Sequence, residues 1–272
     1  MINSSELITY KEHAKHVRQK IISVADYCHE RVHWASSLSC VEILVYIMSG
    51  ASNFADKKVH SEKRDVLIVS KGHAALTWYA VMSELELIEE DFVKQYQQNG
   101  SNYPEELVKD KSLHIECSTG SLGLGLPYAV GMAITAKRRG SNKKIFCVMG
   151  DGECDEGSVW EAVMLAAQQK LDNVFLIIDL NGLQADGNTD DIISWRNIQN
   201  QFREFGWNAL SIDGHDFNEL DASFKGVADK PTVVIARTIK GKGISFMEND
   251  YLWHDRVLDK NFLEQAKMEI GI

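Results

Sequence analysis

The sequence predicts an α/β fold: an open, mostly parallel, doubly wound sheet with helices on both faces. Five short runs rich in β-branched residues, at 66–70, 145–150, 174–180, 209–213 and 232–238, predict the strands. Two of them read IFCVM and VFLII, apolar throughout, as strands covered on both faces of a parallel sheet must be. Helix-length segments lie around and between them. The first, 6–30, carries Leu7, Ile8, Ala14, Val17, Ile21, Ile22 and Ala25 as one helical stripe. Further helices are expected near 40–48, 74–86, 89–98, 123–139, 156–169, 216–227 and 259–269. Strands alternating with helices give the doubly wound layout, in which ligands sit off the carboxyl ends of the strands. The functional loops are therefore expected after Ser70, Met149, Leu180 and Thr238. There are only three prolines (Pro104, Pro127 and Pro231), no repeat and no Pro/Ser/Gly-rich linker, so 1–272 reads as a single domain.

Composition narrows the class. A chain of 272 residues buries roughly 70–75% of its unfolded surface, enough for one core without a disulfide or metal staple. With 39 acidic against 29 basic side chains, a net charge of -10 argues against a nucleic-acid-binding surface. The five cysteines (Cys28, Cys40, Cys117, Cys147 and Cys154) form no CxxC pair and are odd in number, which reads as reduced thiols. The polar, mixed-charge start is neither a signal nor a transit peptide, and no apolar run approaches the ~20 residues of a membrane span. A cytoplasmic location without membrane contact is expected.

The chemistry concentrates in IFCVMGDGECDEGSVWEA. A buried strand runs into Gly150-Asp151-Gly152, where glycines let the backbone approach a ligand. The next strand ends at Asn181, so one carboxylate and one amide can converge on a hard cation. Mg²⁺ wants six oxygens, takes one or two carboxylates, and completes its shell with phosphate and water. A plain GDG turn is the bland alternative for the motif alone.

Taken with IDLNGLQADG, this segment resembles the thiamine-diphosphate motif of the transketolase family. SKGHAALTWYA (70–80), ECSTGSLGLGLPYAVGMA (116–133), DGHD (213–216) and RTIKGKGISFMENDYLWH (237–254) resemble further transketolase segments, in the family's order. VHWASSLSCVEIL resembles its SGHPGGSLS stretch. The resemblance implies that Asp151 and Asn181 bind Mg²⁺ by their side chains and Leu183 by its carbonyl, with Ca²⁺ or Mn²⁺ able to substitute. It implies that Ser36, His73, Gly152, Asn181, Lys240 and His254 contact thiamine diphosphate, and that Gly120, Ser121 and Leu122 line its aminopyrimidine. His33, His73 and His254 would be catalytic, with His33, Tyr103 and His254 facing the sugar. His215 reads instead as a turn residue, and His13, His16, His29 and His60 as surface positions.

Three departures from the family pattern stand out: Tyr103 where a histidine is expected, Leu124 where a glutamine is, and Trp253-His254-Asp255-Arg256-Val257-Leu258 in place of WHGKAP. Tyrosine donates a hydrogen bond but is no base near pH 7. The resemblance covers only the diphosphate-binding part of a transketolase, so the pyrimidine-binding and C-terminal domains are expected on a separately encoded partner chain, two copies of each. Glu156 and Glu161 resemble acidic residues that link cofactor sites across subunits. The implied activity is two-carbon ketol transfer from a ketose to an aldehyde, needing that partner. The alternatives are a thiamine-diphosphate-dependent carboligase or a 2-oxo acid decarboxylase or dehydrogenase subunit using a 2-oxo acid donor, and a non-catalytic regulatory or scaffold subunit.

Overall fold

The computed structural model describes residues 2–225 and 229–272. Chain order is α1 (Ser4–Ser23), α2 (Trp34–Ser39), α3 (Val41–Tyr46), β1 (Val66–Val69), α4 (Ala75–Glu84), α5 (Phe92–Gln95), α6 (Gly125–Arg138), β2 (Ile145–Gly150), α7 (Gly157–Gln168), β3 (Val174–Leu180), α8 (Thr189–Ile192), α9 (Ile198–Glu204), β4 (Asn208–Asp213), α10 (Phe217–Ser223), β5 (Thr232–Arg237) and α11 (Lys260–Ile270). The strands form one sheet in the order β1-β2-β3-β5-β4, every neighbouring pair parallel. Among the described residues no helix is long and apolar enough to cross a membrane.

Period-2 alternation divides the strand side chains between two apolar layers. Leu67, Val69, Phe146, Val148, Phe175 and Ile177 point into a layer with residues of α1 to α4, α10 and α11. Ile68, Cys147, Met149, Leu176 and Ile178 point the other way, against α6, α7 and α9. That is why β2 and β3 need no polar alternation. β4, at the edge, is only partly buried.

The connection from β4 back to β5 reverses the direction of travel across the sheet. Right-handed crossovers then put α10 on the face opposite α9. The chain leaving β3 and the chain leaving β5 therefore part toward opposite faces, which opens a crevice between those two carboxyl ends.

The two apolar strands begin and end where the sequence predicts, whereas the helices differ more. The 6–30 helix is α-helical only to Ser23, tightens into a 3-10 turn at Val24–Asp26, and has given way to extended backbone by Val32, which bridges antiparallel to Arg256. The 40–48 segment begins earlier, as α2, and breaks at Cys40 before α3. Only Phe92–Gln95 of 89–98 is helical, since Gln97 takes a left-handed φ of 57°. α10 ends at Ser223, and residues 226 and 227 of its expected span lie outside the described residues. α8 and α9 were not expected.

Phe146 stacks on Phe175 at 5.2 Å and meets Phe224 edge-on at 5.7 Å, fully buried under the first layer. Truncation to Ala removes that contact and leaves a cavity, so Phe146→Ala is expected to cost about 3–5 kcal/mol. Urea unfolding followed by circular dichroism measures it.

Candidate active site

The carboxyl ends of β1, β2, β3 and β5 deliver, in turn, Lys71 and His73, Asp151, Asn181 to Leu183, and Lys240. The loops expected to be functional thus meet at one edge of the sheet. Asp151 is buried and caps a short turn: its Oδ1 accepts from its neighbour Gly152 N (2.9 Å) and its Oδ2 from Gly182 N (2.6 Å). Burial, with Asp179 adding its negative charge, pushes the Asp151 carboxyl up to about 6. Asn181 Oδ1 accepts from Leu183 N (3.2 Å), so Asp151, Asn181 and Leu183 belong to one hydrogen-bonded turn. Carboxylate, amide and carbonyl oxygens in that turn form a donor set suited to a hard cation.

Lys240 crosses the crevice between β5 and β3. Its buried ammonium donates to the Leu183 carbonyl (3.1 Å) and to His254 Nδ1 (2.9 Å). Burial and the nearby Lys71 bring Lys240 down to about 8, although Asp151 and Asp179 act against them. Three imidazoles then gather above it. Ring centroids of His33, His73 and His254 lie 5.1, 5.2 and 5.4 Å apart, pair by pair. Burial, and then the charge of Lys240, lowers His254 to about 3. His73 is also well below its ordinary value, from burial and then Lys71.

Hydrogen bonding assigns opposite roles to two of these rings. An ammonium only donates, so His254 Nδ1 accepts from Lys240 and its ring proton sits on Nε2. A carboxylate only accepts, so His33 Nδ1 donates to Glu105 (2.7 Å). In the neutral ring that leaves His33 Nε2 as an acceptor. A donor and an acceptor therefore stand side by side.

Ser36 Oγ lies 3.5 Å from His254 Nδ1, and its carbonyl accepts from Lys71. Gly120, at φ 140°, leads the loop through Ser121 and Leu122, both exposed. Gly152 packs so closely on Gln184 that a Cβ there would lie 2.8 Å from its side chain. Tyr103 packs edge-on against Tyr79 and Phe92, and among the described residues no hydrogen bond or ring contact joins it to the three histidines. Glu105, two residues on, makes the contact with His33.

Four residues at the site escaped the sequence reading. Lys71 and Asp179, both almost fully buried, form an ion pair of 2.6 Å. Ser39 Oγ and Thr238 Oγ1 also donate to Asp179. Burial alone would raise the carboxyl, but Lys71 holds Asp179 below its ordinary range. Glu153 joins three loops, accepting from Ser70 Oγ (2.6 Å), Gly123 N (2.9 Å) and Gly150 N (3.0 Å). Glu105 completes the group. Lys71 in SKGH and Asp179 in IDLN lie inside family-like motifs, but nothing local marks them as partners.

His215, His13 and His16 pair with carboxylates outside the cluster. His215 donates from Nδ1 to Glu42 and accepts at Nε2 from Ile239 N, while Arg18 grips Glu42 with both arms. His13 and His16 share Glu84, and His29 and His60 are exposed. Trp253 is buried under the Arg256 guanidinium.

Removing Lys71 leaves a buried carboxylate without its cation. Lys71→Met is expected to cost about 3–5 kcal/mol, with Lys71→Met/Asp179→Leu recovering most of it. Because Asp179 sits below its ordinary range, the pair's contribution holds above about pH 4 and is lost as pH falls through the folded value. Thermal unfolding of both variants across pH 3–7 tests this.

Known proteins share both the sequence pattern and the fold. Residues 21–272 match the family described as Transketolase, thiamine diphosphate binding domain. An apulose-4-phosphate transketolase subunit of Actinobacillus succinogenes is 40% identical over 94% of this chain and 94% of its own length. Human transketolase is 36% identical over 88% of this chain but only 38% of its own. Among solved structures, the Campylobacter jejuni transketolase superposes with a TM-score of 0.81 at 28% identity, covering 100% of this chain and 43% of that one.

Proposed function

The chain belongs to the transketolase family, and from that premise we propose how its residues share the reaction of a two-subunit ketol transferase. It is a thiamine-diphosphate-dependent, transketolase-type transferase subunit. The observation that carries the finer reading is the meeting of His33, His73 and His254 above Lys240 at the β3/β5 crevice.

In this reading the Asp151, Asn181 and Leu183 oxygens hold Mg²⁺, and Lys240 with the metal neutralises the diphosphate. The fit rests on Asp151: burial raises its carboxyl, its hydrogen bonds come only from neutral donors (the Gly152 and Gly182 amides and the Thr189 hydroxyl), and a divalent cation would relieve the buried charge. Gly152 and Ser36 border the diphosphate, and Gly120, Ser121 and Leu122 line the aminopyrimidine. Thiamine diphosphate, when bound, would supply the electron sink. His254 donates from Nε2 to a developing oxyanion, and His33 accepts a hydroxyl proton at Nε2. Glu105 keeps the His33 ring in that orientation, while His73 stays neutral beside both. Tyr103 contributes to sugar discrimination from the loop that carries Glu105.

The partner is proposed to be a separately encoded chain bringing the pyrimidine-binding domain, in two copies with two of this one. Two relatives of nearly the same length are themselves named as single subunits of a transketolase, which supports a second subunit. Exposed Leu122, Leu124 and Tyr128, around the start of α6, and Met164 and Leu165 on α7 offer it an apolar surface beside Glu156 and Glu161. The 272 residues act as one diphosphate-binding domain, and a cytoplasmic setting suits five free, buried thiols.

Reconstitution tests the reading: ketose-dependent aldehyde turnover is expected with the partner and absent with either chain alone, and turnover of a 2-oxo acid instead would overturn it. Asp151→Asn separates binding from folding. A raised carboxyl pKa means the charged form costs stability as pH rises from about 4 through about 6. The variant is therefore expected to melt higher than the apoprotein at pH 7, yet to lose the rise in melting temperature on adding Mg²⁺ and thiamine diphosphate. Lys240, at about 8, gives a further expectation: as it loses its proton, cofactor affinity measured by tryptophan fluorescence should fall above pH 8, by up to about tenfold per pH unit.

A further inference from the structure

Lys240 lies in a tight turn whose two ends are both held by one side-chain network. Lys242 N donates to the Ile239 carbonyl (3.2 Å), which places Lys240 and Gly241 at the central positions. Gly241 takes a φ of 77°, the pattern of a type II turn. At one end Ile239 N donates to His215 Nε2 (2.9 Å), and at the other the Lys242 carbonyl accepts from Arg18 Nε (2.9 Å). Glu42 joins the two holders. Its Oε1 accepts from Arg18 Nη1 (2.7 Å), and its Oε2 from both Arg18 Nη2 (2.9 Å) and His215 Nδ1 (2.9 Å). Arg18 comes from α1, Glu42 from α3 and His215 from the β4–α10 loop, and all three side chains are largely buried.

Two independent partners fix one form of the His215 ring. A carboxylate only accepts, so Nδ1 carries a proton, and a backbone N–H only donates, so Nε2 carries none. Burial acts upward on Glu42, but Arg18 and His215 bring it down to about 2, which keeps it an acceptor. Among the described residues Ile239 N has no other acceptor. Beyond the turn, the Lys240 ammonium has to reach both the Leu183 carbonyl (3.1 Å) and His254 Nδ1 (2.9 Å). A shift of the turn carries it away from both.

We propose that His215 is a positioning residue for Lys240: with Glu42 and Arg18 it sets the turn that aims the ammonium at the cofactor diphosphate. The network thereby acts on cofactor affinity through the lysine. This inference rests on the reading in which Lys240 neutralises the diphosphate.

The complex reconstituted with its partner is titrated calorimetrically with thiamine diphosphate at saturating Mg²⁺, as wild type, His215→Asn, His215→Gln and Lys240→Met. An Asn amide overlies Nδ1 and keeps the donor to Glu42, whereas a Gln carbonyl overlies Nε2 and keeps the acceptor for Ile239 N. Each variant thus retains one of the two bonds, and circular dichroism verifies that it folds. An unsatisfied backbone N–H predicts affinity weakened about fivefold to twentyfold in His215→Asn, against less than about threefold in His215→Gln. Melting temperature should fall in both, so that affinity follows the lost acceptor and not stability. Lys240→Met should itself weaken binding, and adding His215→Asn to it should then change affinity by less than about twofold. Unchanged affinity in His215→Asn, equal losses in the Asn and Gln variants, or the full His215→Asn loss on the Lys240→Met background overturns the role of His215 and leaves that of Lys240 standing. Unchanged affinity in Lys240→Met overturns both.

Discussion

The site depends on one buried ion pair. Lys71 comes from the end of β1 and Asp179 from β3, 108 residues apart, and neither is reached by water. Around them gather the Ser36 carbonyl and Ser39 from α2 and Thr238 from the end of β5. Each of those segments carries a residue of the site within a few positions: His33, His73, Asn181 and Lys240. A pair like this gains little net stability over well-packed apolar residues, because both charges must first be stripped of water. Its value is positional. Once buried, the two charges tolerate only the arrangement that satisfies them, and the loops they belong to inherit that arrangement.

The pair also shapes the electrostatics above it. Lys71 lowers the affinity of Lys240, His73 and His254 for protons, while Asp179 raises that of Asp151. Two neutral imidazoles, a weakened lysine and a carboxylate that resists ionisation therefore share one crevice. An imidazole held neutral donates at one nitrogen and accepts at the other, which suits a reaction that moves protons between sugar oxygens. Glu153 does a comparable mechanical task one layer out, tying the glycine-rich loop before α6 to the ends of β1 and β2.

An exposed apolar strip around α6 and α7 sits beside the same loop, and the chain spans 94% of a relative named as one subunit of its enzyme but 38% of human transketolase. On the reading proposed above, that strip is where a second subunit docks.

Much of the fold was legible in the residues themselves. β2 and β3 are continuous apolar runs because alternate side chains enter two separate layers, and that pattern is local to the strand. Asp151 and Asn181 could be placed at the carboxyl edge of a parallel sheet because each lies just past an apolar run, whereas Lys240 was singled out only by the family resemblance. Helix limits were less so: a 3-10 turn after Ser23 and the left-handed backbone at Gln97 close helices through turn geometry that is not written in periodicity. What only the tertiary structure decided is which of these edge residues meet. The crossing of β4 outside β5 opened the crevice that joins Lys240 to Leu183. The loop from Tyr103 presented Glu105 to His33 and laid the half-buried tyrosine ring against Tyr79 and Phe92. Periodicity is a property of neighbours along the chain, whereas an ion pair and a histidine cluster are properties of segments brought together across the sheet.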